Sequence, residues 1–251
     1  MGNRAVVRMT IDDAEHYSVE QRESIIASYP AHEREARAKG IPTLGSGRIY
    51  PIAEDEISEP AIQVPKHWAC IAGMDFGWDH PTSAVKIAWD READCVHVVN
   101  AYRKSQATPL IHAAALKPWG KKLIFAWPHD GIGHGKDGGR PLSEQYRDEG
   151  LEMWQEHATH PTGGYSVEAG IMDILDRMQT GRFKVFSHLH EWFDEFRMYH
   201  RKDGKIVKER DDLMDATRMG VMMLRYAEAQ RNDYEDPYKS RPASSNSWMV
   251  A

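Results

Sequence analysis

Asp75 closes a short apolar run, in Gly73-Met74-Asp75-Phe76-Gly77, and Asp130 closes another, in Trp127-Pro128-His129-Asp130-Gly131. Asp211, Asp212 and Asp215 open a helix-compatible segment, where i, i+3 and i, i+4 spacing sets Asp212 and Asp211 on the side of Asp215. A carboxylate at the end of a buried strand is costly without a partner. Carboxylates brought together repel unless a cation sits among them. Hard oxygen donors suit Mg2+ or Mn2+, and two such ions about 4 Å apart can activate a water and stabilise the leaving oxygen of a phosphodiester. Each piece also has a structural reading. Asp75-Phe76-Gly77 could be a strand-ending turn, Asp130-Gly131 is a common turn dipeptide, and Asp211 and Asp212 could cap a helix and complement its dipole. Asp215 resists that reading because it lies a turn inside a segment rich in Leu and Met. The joint pattern points to a metal site.

The elements around these residues must bring them to one place. WACIAGMDFG, SAVKIAWD and CVHVVNAYR are strand-like, the last two with period-2 alternation, and short connections make them an antiparallel meander. LIHAAAL is helical. KLIFAWPHDG holds a continuous apolar run, as a buried central or parallel strand requires. If it neighbours the first strand, Asp75 and Asp130 emerge at the same sheet edge. A helix follows in PLSEQYRDEGL, with Pro141 near its first position and Gly150 at its C-cap. A short strand is expected at 151–155, then a helix in SVEAGIMDILDRMQTG, a short segment FKVFS and a helix in LHEWFDEFRMYH. DGKIVKER reads as a hairpin or extended arm. DDLMDATRMGVMMLRYAEAQ reads as one long helix. The pattern is an α/β sandwich with a mixed sheet. Upstream, Ser18-Val19-Glu20-Gln21 is a capping box for a helix running to about Ser28. The stretch 31–39 is helix-compatible, with Gly40 as a C-cap. Residues 1–60 read as a linker or the remnant of an upstream domain, 61–229 as the packed domain, and the polar 230–251 as a disordered tail.

The 251 residues are 41% hydrophobic and 28% charged, an ordinary globular balance. No apolar run approaches a membrane span, and the first residues lack a secretory signal. Cys70 and Cys95 exclude a disulfide framework or a cysteine-rich zinc site, and a reducing cytoplasm is the natural home. The net charge of −6 argues against a uniformly basic nucleic-acid coat. It is unevenly spread. Residues 1–60 hold 7 basic and 11 acidic residues, whereas 197–210 hold six basic residues against Asp203 and Glu209. Such local basic segments beside acidic clusters suit a metal-dependent enzyme that handles a polyanion. Lys136 and Arg140, in and beside the glycine-rich loop after Asp130, are candidates for phosphate contact. GIGHGKDGG has the wrong glycine spacing for a Walker A loop. Asp75-Phe76-Gly77 matches a kinase triplet without the other kinase motifs. The 13 histidines form no HExxH or paired Cys/His pattern.

The segments IIASYPAHEREARAKGIPTLGSGRIYP, GMDFGWDHPTSAV, WPHDG and DDLMDATRMGVM, in that order, resemble the large subunit of tailed-phage terminases. The resemblance runs from about residue 10 to 228. It is to the C-terminal nuclease domain of the headful-packaging type, preceded by the segment that leaves the ATPase domain. It implies a ribonuclease H-like fold with a central mixed sheet flanked by helices, and cleavage of double-stranded DNA by two Mg2+ or Mn2+ ions. The family's three acidic positions fall on Asp75, Asp130 and Asp215. Many members carry His where this chain has Asp212, so Asp212 is either a second-metal ligand or a helix cap. The resemblance also implies the phage portal and the small terminase subunit as partners, no membrane, and the host cytoplasm as the place of action. Without a Walker A motif this chain alone is expected to hydrolyse no ATP. The alternatives are a Holliday-junction resolvase or transposase-like nuclease of the same fold, an actin-like kinase half, or a non-catalytic domain that docks on portal or capsid.

Overall fold

The computed structural model describes residues 10–14, 16–29, 34, 38, 47–132 and 139–229. Ser18 caps α1 (Val19–Ser28): its Oγ accepts the Gln21 N–H at 3.3 Å, and Gln21 Oε1 accepts the Ser18 N–H at 2.9 Å. Downstream come α2 (Glu54–Ile57), β1 (Ser58–Glu59) and the meander of β2 (Ala69–Asp75), β3 (Thr82–Asp90) and β4 (Cys95–Lys104). Next are α3 (Pro109–Leu116), β5 (Ile124–Ala126), α4 (Leu142–Asp148), β6 (Glu152–Met153), α5 (Val167–Gln179), β7 (Phe183–Phe186) and α6 (His190–Met198). The hairpin of β8 (Arg201–Lys202) and β9 (Lys205–Ile206) leads into α7 (Asp212–Met222), and β10 (Glu228–Ala229) closes the described chain.

The main sheet runs β1-β7-β4-β3-β2-β5-β6. The meander is antiparallel, while β5, β6, β7 and β1 pair in parallel with their neighbours, so the sheet is mixed as the pattern predicts. β2 is buried from Ala69 to Met74, as a strand covered on both faces must be. Its free edge is shared: β10 pairs with Ala69 and Cys70, and β5 with Ala72 and Gly73. β2 and β5 point the same way, so Asp75 and the turn holding Asp130 leave at one sheet edge.

Helix α7 lies across β2 and β3, flanked by α5 and α6. It comes close because glycines meet there. A Cβ on Gly73 would lie 2.0 Å from Ala216 O and 2.5 Å from Gly220 N. Backbone meets backbone, and no side chain separates strand from helix.

Some sequence expectations change. Residues 48–59, read as part of the linking segment, are packed into this body: Ile49, Tyr50 and Ile57 are buried, and β1 pairs with β7. The segment read as one long helix ends at Met222. A 3-10 turn (Leu224–Tyr226) follows, with Arg225 donating to the Met222 and Thr159 carbonyls, and the chain then returns to the sheet as β10. Pro141 is the N-cap of α4 rather than its first residue, and the strand expected at 151–155 is two residues long. The helix read at 31–39 lies almost wholly outside the described residues, and the tail 230–251 wholly so. No helix among the described residues is long and apolar enough to cross a membrane.

Candidate metal centre

The register of the meander sets a row across the sheet: Asp75 opposite Ser83, and Ser83 opposite Arg103. Residues directly opposite share a face, and Gly73, two residues before Asp75, shares it too. That face meets α7. The same approach that seats Ala216 and Gly220 on Gly73 brings the first turn of α7 over the row. Ser83 Oγ donates to the Asp212 carbonyl at 2.6 Å, and Arg103 Nη2 donates to Asp212 Oδ2 at 3.0 Å.

Asp75 is therefore half-buried among like charges. Burial pushes its carboxyl well above the usual range, and Asp215, Asp130 and Asp212 push it further, with Arg218 opposing. Asp130 lies in the 3-10 turn His129–Ile132. Its carboxyl is also raised, chiefly by burial; its own N–H, that of Gly131 and His129 pull it down, and Asp215 pushes it up. The two strand-end carboxylates and the two helix carboxylates thus act on one another electrostatically.

The helix carboxylates have protein cations. Asp215 Oδ1 accepts from Arg218 Nη2 at 3.0 Å and Nε at 3.2 Å, while Lys208 Nζ reaches Asp215 Oδ2 at 3.1 Å and Asp211 Oδ2 at 3.4 Å. Asp211 Oδ2 is buried and makes no hydrogen bond. Asp212 has Arg103, whose Nε also faces Glu195 Oε1 at 3.3 Å. Glu195, on α6, is fully enclosed, and its Oε2 accepts the Leu213 N–H at 2.6 Å, filling one free donor at the start of α7. Burial lifts its carboxyl to about 7 against the pull of Arg103 and the helix N–H groups.

The donor set fits a hard divalent cation: carboxylate oxygens, low solvent exposure of Asp211, Asp212 and Asp215, and like charges around Asp75. Among the described residues no three carboxylate, imidazole or thiol groups stand close enough to hold a cation as they are. Arg218 and Lys208 pair with Asp215, and Arg103 pairs with Asp212, partly neutralising the cluster. Of the two candidate phosphate contacts, Lys136 lies outside the described residues. Arg140 is exposed and paired with Glu144 and Asp148, so it belongs to the outer face of α4 rather than the carboxylates. His129 stacks on exposed Tyr165 at 5.0 Å, with His157 beside it, forming a small aromatic rim next to Asp130.

Sequence reading did not single out Arg103, Glu195, Lys208 or Arg218 for the cluster. Arg218, one turn after Asp215, was open to an i, i+3 reading, and Lys208 lies in the basic arm noted before α7. Arg103 and Glu195 carry no local signal, since their partners lie on other elements.

Residues 72–224 match the family of terminase RNase H-like domains, and residues 3–57 match the N-terminal region of terminase large subunits of the T4-like virus type. The chain belongs to the phage terminase large-subunit family, through its C-terminal RNase H-like nuclease domain. It is 50% identical over 242 residues to the terminase large subunit of Salmonella phage P22, covering 96% of this chain and 48% of that protein. It is 51% identical over 222 residues to the terminase large subunit of Enterobacteria phage LP7, covering 88% of this chain and 47% of that one. The solved nuclease domain of the P22 large terminase superposes with a TM-score of 0.70 at 46% identity, over 74% of this chain and 96% of that one. The chain spans about half the length of the curated relatives it matches.

Proposed function

We propose that this chain is a metal-dependent endonuclease that cuts double-stranded DNA during phage genome packaging. The observation that carries this reading is Asp75: a half-buried strand-end carboxylate pushed up by burial and by Asp215, Asp130 and Asp212, with Arg218 opposing among the described residues. Asp75, Asp130 and Asp215 hold the metal, and Asp212 assists. Two Mg2+ or Mn2+ ions, when bound, supply a water acidified for attack and charge stabilisation at the leaving oxygen. Arg218 fixes the Asp215 carboxylate through two N–H groups on one oxygen, leaving the other to Lys208 or a metal. With the metal supplying the acidified water, no His or Lys base is needed. The polyanionic strand meets a local positive field from the basic arm: Lys208 reaches Asp215 at 3.1 Å, and Lys202 and Lys205 pair across the β8–β9 hairpin just upstream.

In this reading the earliest residues continue the segment that follows an ATPase domain in the longer protein. With no Walker A loop in the 251 residues, this chain alone turns over no ATP. The portal and the small terminase subunit are its partners, and the host cytoplasm its place of action. The test is plasmid cleavage with Mn2+, Mg2+ or EDTA, on the parent chain and on Asp75→Asn. The expected outcome is nicking or degradation by the parent with either metal only. No cleavage at high enzyme concentration with both metals overturns the proposal, and cleavage of branched in preference to linear DNA shifts it to a resolvase-like nuclease.

A further inference from the structure

Arg103 does more than neutralise a neighbour. It ends the row Asp75–Ser83–Arg103, and its side chain is 17% exposed. Ser83 pins the backbone of Asp212 through the carbonyl, and Arg103 pins the side chain through Oδ2. Glu195 then holds Arg103. Glu195 Oε1 is buried and makes no hydrogen bond, so the guanidinium 3.3 Å away is its compensation. Capping α7 needs only a neutral oxygen, and a Ser or Thr would serve at lower desolvation cost. A fully enclosed carboxylate is the expensive choice for a cap. What it adds is a fixed seat for a cation, and that cation grips the Asp212 side chain at 3.0 Å.

We propose that Arg103 is a positioning residue for Asp212. Glu195 orients the guanidinium from one side, and the planar fork hands that orientation to the Asp212 carboxylate on the other. The distance of Asp212 from Asp75 is then set by β4 and α6 rather than by the flexibility of a first-turn side chain. Asp212 acts as a held outer partner of the cation site, with Asp215 the inner ligand on the same helix. This rests on the metal reading above.

The test uses the full chain with Arg103→Lys, Asp212→Asn, the double variant, and Asp75→Asn as control. Arg103→Lys keeps a positive charge opposite Glu195, so the fold is retained, but it loses the planar fork. Mn2+ affinity is measured by calorimetry and by electron paramagnetic resonance, alongside melting temperature. The expected result is a melting temperature within a few degrees of the parent and Mn2+ affinity weakened by about tenfold, the scale of lost outer-sphere support. The double variant should bind Mn2+ no more weakly than Asp212→Asn alone, because one residue works through the other. Parent-like Mn2+ affinity in Arg103→Lys, or losses that add in the double variant, overturns this inference alone. A parent that binds Mn2+ no better than Asp75→Asn overturns the metal reading and this inference with it.

Discussion

At the scale of the residue, the metal-free cluster stores repulsion, and that gives Asp75 a definite pH signature. Its folded carboxyl is raised by burial and then by Asp215, Asp130 and Asp212. A raised carboxyl contributes stability at low pH and loses it as pH climbs past the folded value. Asp75→Asn should therefore abolish cleavage while raising the melting temperature in EDTA, with a larger gain at pH 8 than at pH 5. A variant that melts far below the parent at both pH values would make Asp75 mainly a structural turn residue. The two helix carboxylates separate in the same way. Asp215 is held by buried Arg218 and faces Asp75, so Asp215→Ala should lose cleavage altogether. Asp212 is shared with Arg103, so Asp212→Ala should keep part of the rate and demand more metal, and metal titrations of both variants decide between them. Asp75, Asp130 and Asp215 stand out in the sequence because each breaks an apolar pattern at its end or inside it. Arg103 and Glu195 do not, because a single polar residue on a strand or helix says nothing of a partner that only the tertiary fold supplies.

At the scale of the element, the short strand β1 is fastened by one side-chain pair as well as by its ladder. His97 Nδ1 lies 2.6 Å from Glu59 Oε1, and its ring stacks on Trp68 at 4.4 Å. Burial pushes the imidazole down, but its hydrogen bonds with Cys95 and Glu59 outweigh this and carry its pKa up to about 9. The sign follows from linkage. The contribution is complete below the unfolded value near 6.5 and is lost as pH rises through about 9. Denaturant unfolding at pH 6 and pH 10 should show the parent about 1–2 kcal/mol more stable than Glu59→Gln at the lower pH, and the gap closed at the higher one. A gap that persists unchanged at pH 10 removes the charged pair from the account. The strand itself had no sequence signal: two residues carry no period, and their pairing partners on β7 lie far along the chain. The meander was plain because each of its strands is long enough to alternate or to stay apolar. The overlong reading of α7 came from helix-compatible residues after Met222, where backbone pairing with β2 outweighs propensity.

At the scale of the whole molecule, a net charge of −6 meets a local excess of positive charge on the arm before α7. DNA binding by this chain should be weak and steeply salt-dependent, with a slope near −0.9 per phosphate neutralised. Affinity measured by fluorescence anisotropy from 50 to about 200 mM salt should fall by orders of magnitude. Tight, sequence-selective binding that survives the higher salt would instead identify a site-specific reader. The order of the chain has a consequence for synthesis. Strand β2 with Asp75 and the turn with Asp130 emerge early, but Asp215 and the helix that brings it to them arrive after all seven strands of the main sheet path and α6. Contacts of such sequence separation form only once both ends exist. On the proposed metal reading, a ribosome stalled between residues 131 and 211 holds Asp75 and Asp130 without Asp215, and the carboxylate cluster closes only once translation has passed α7.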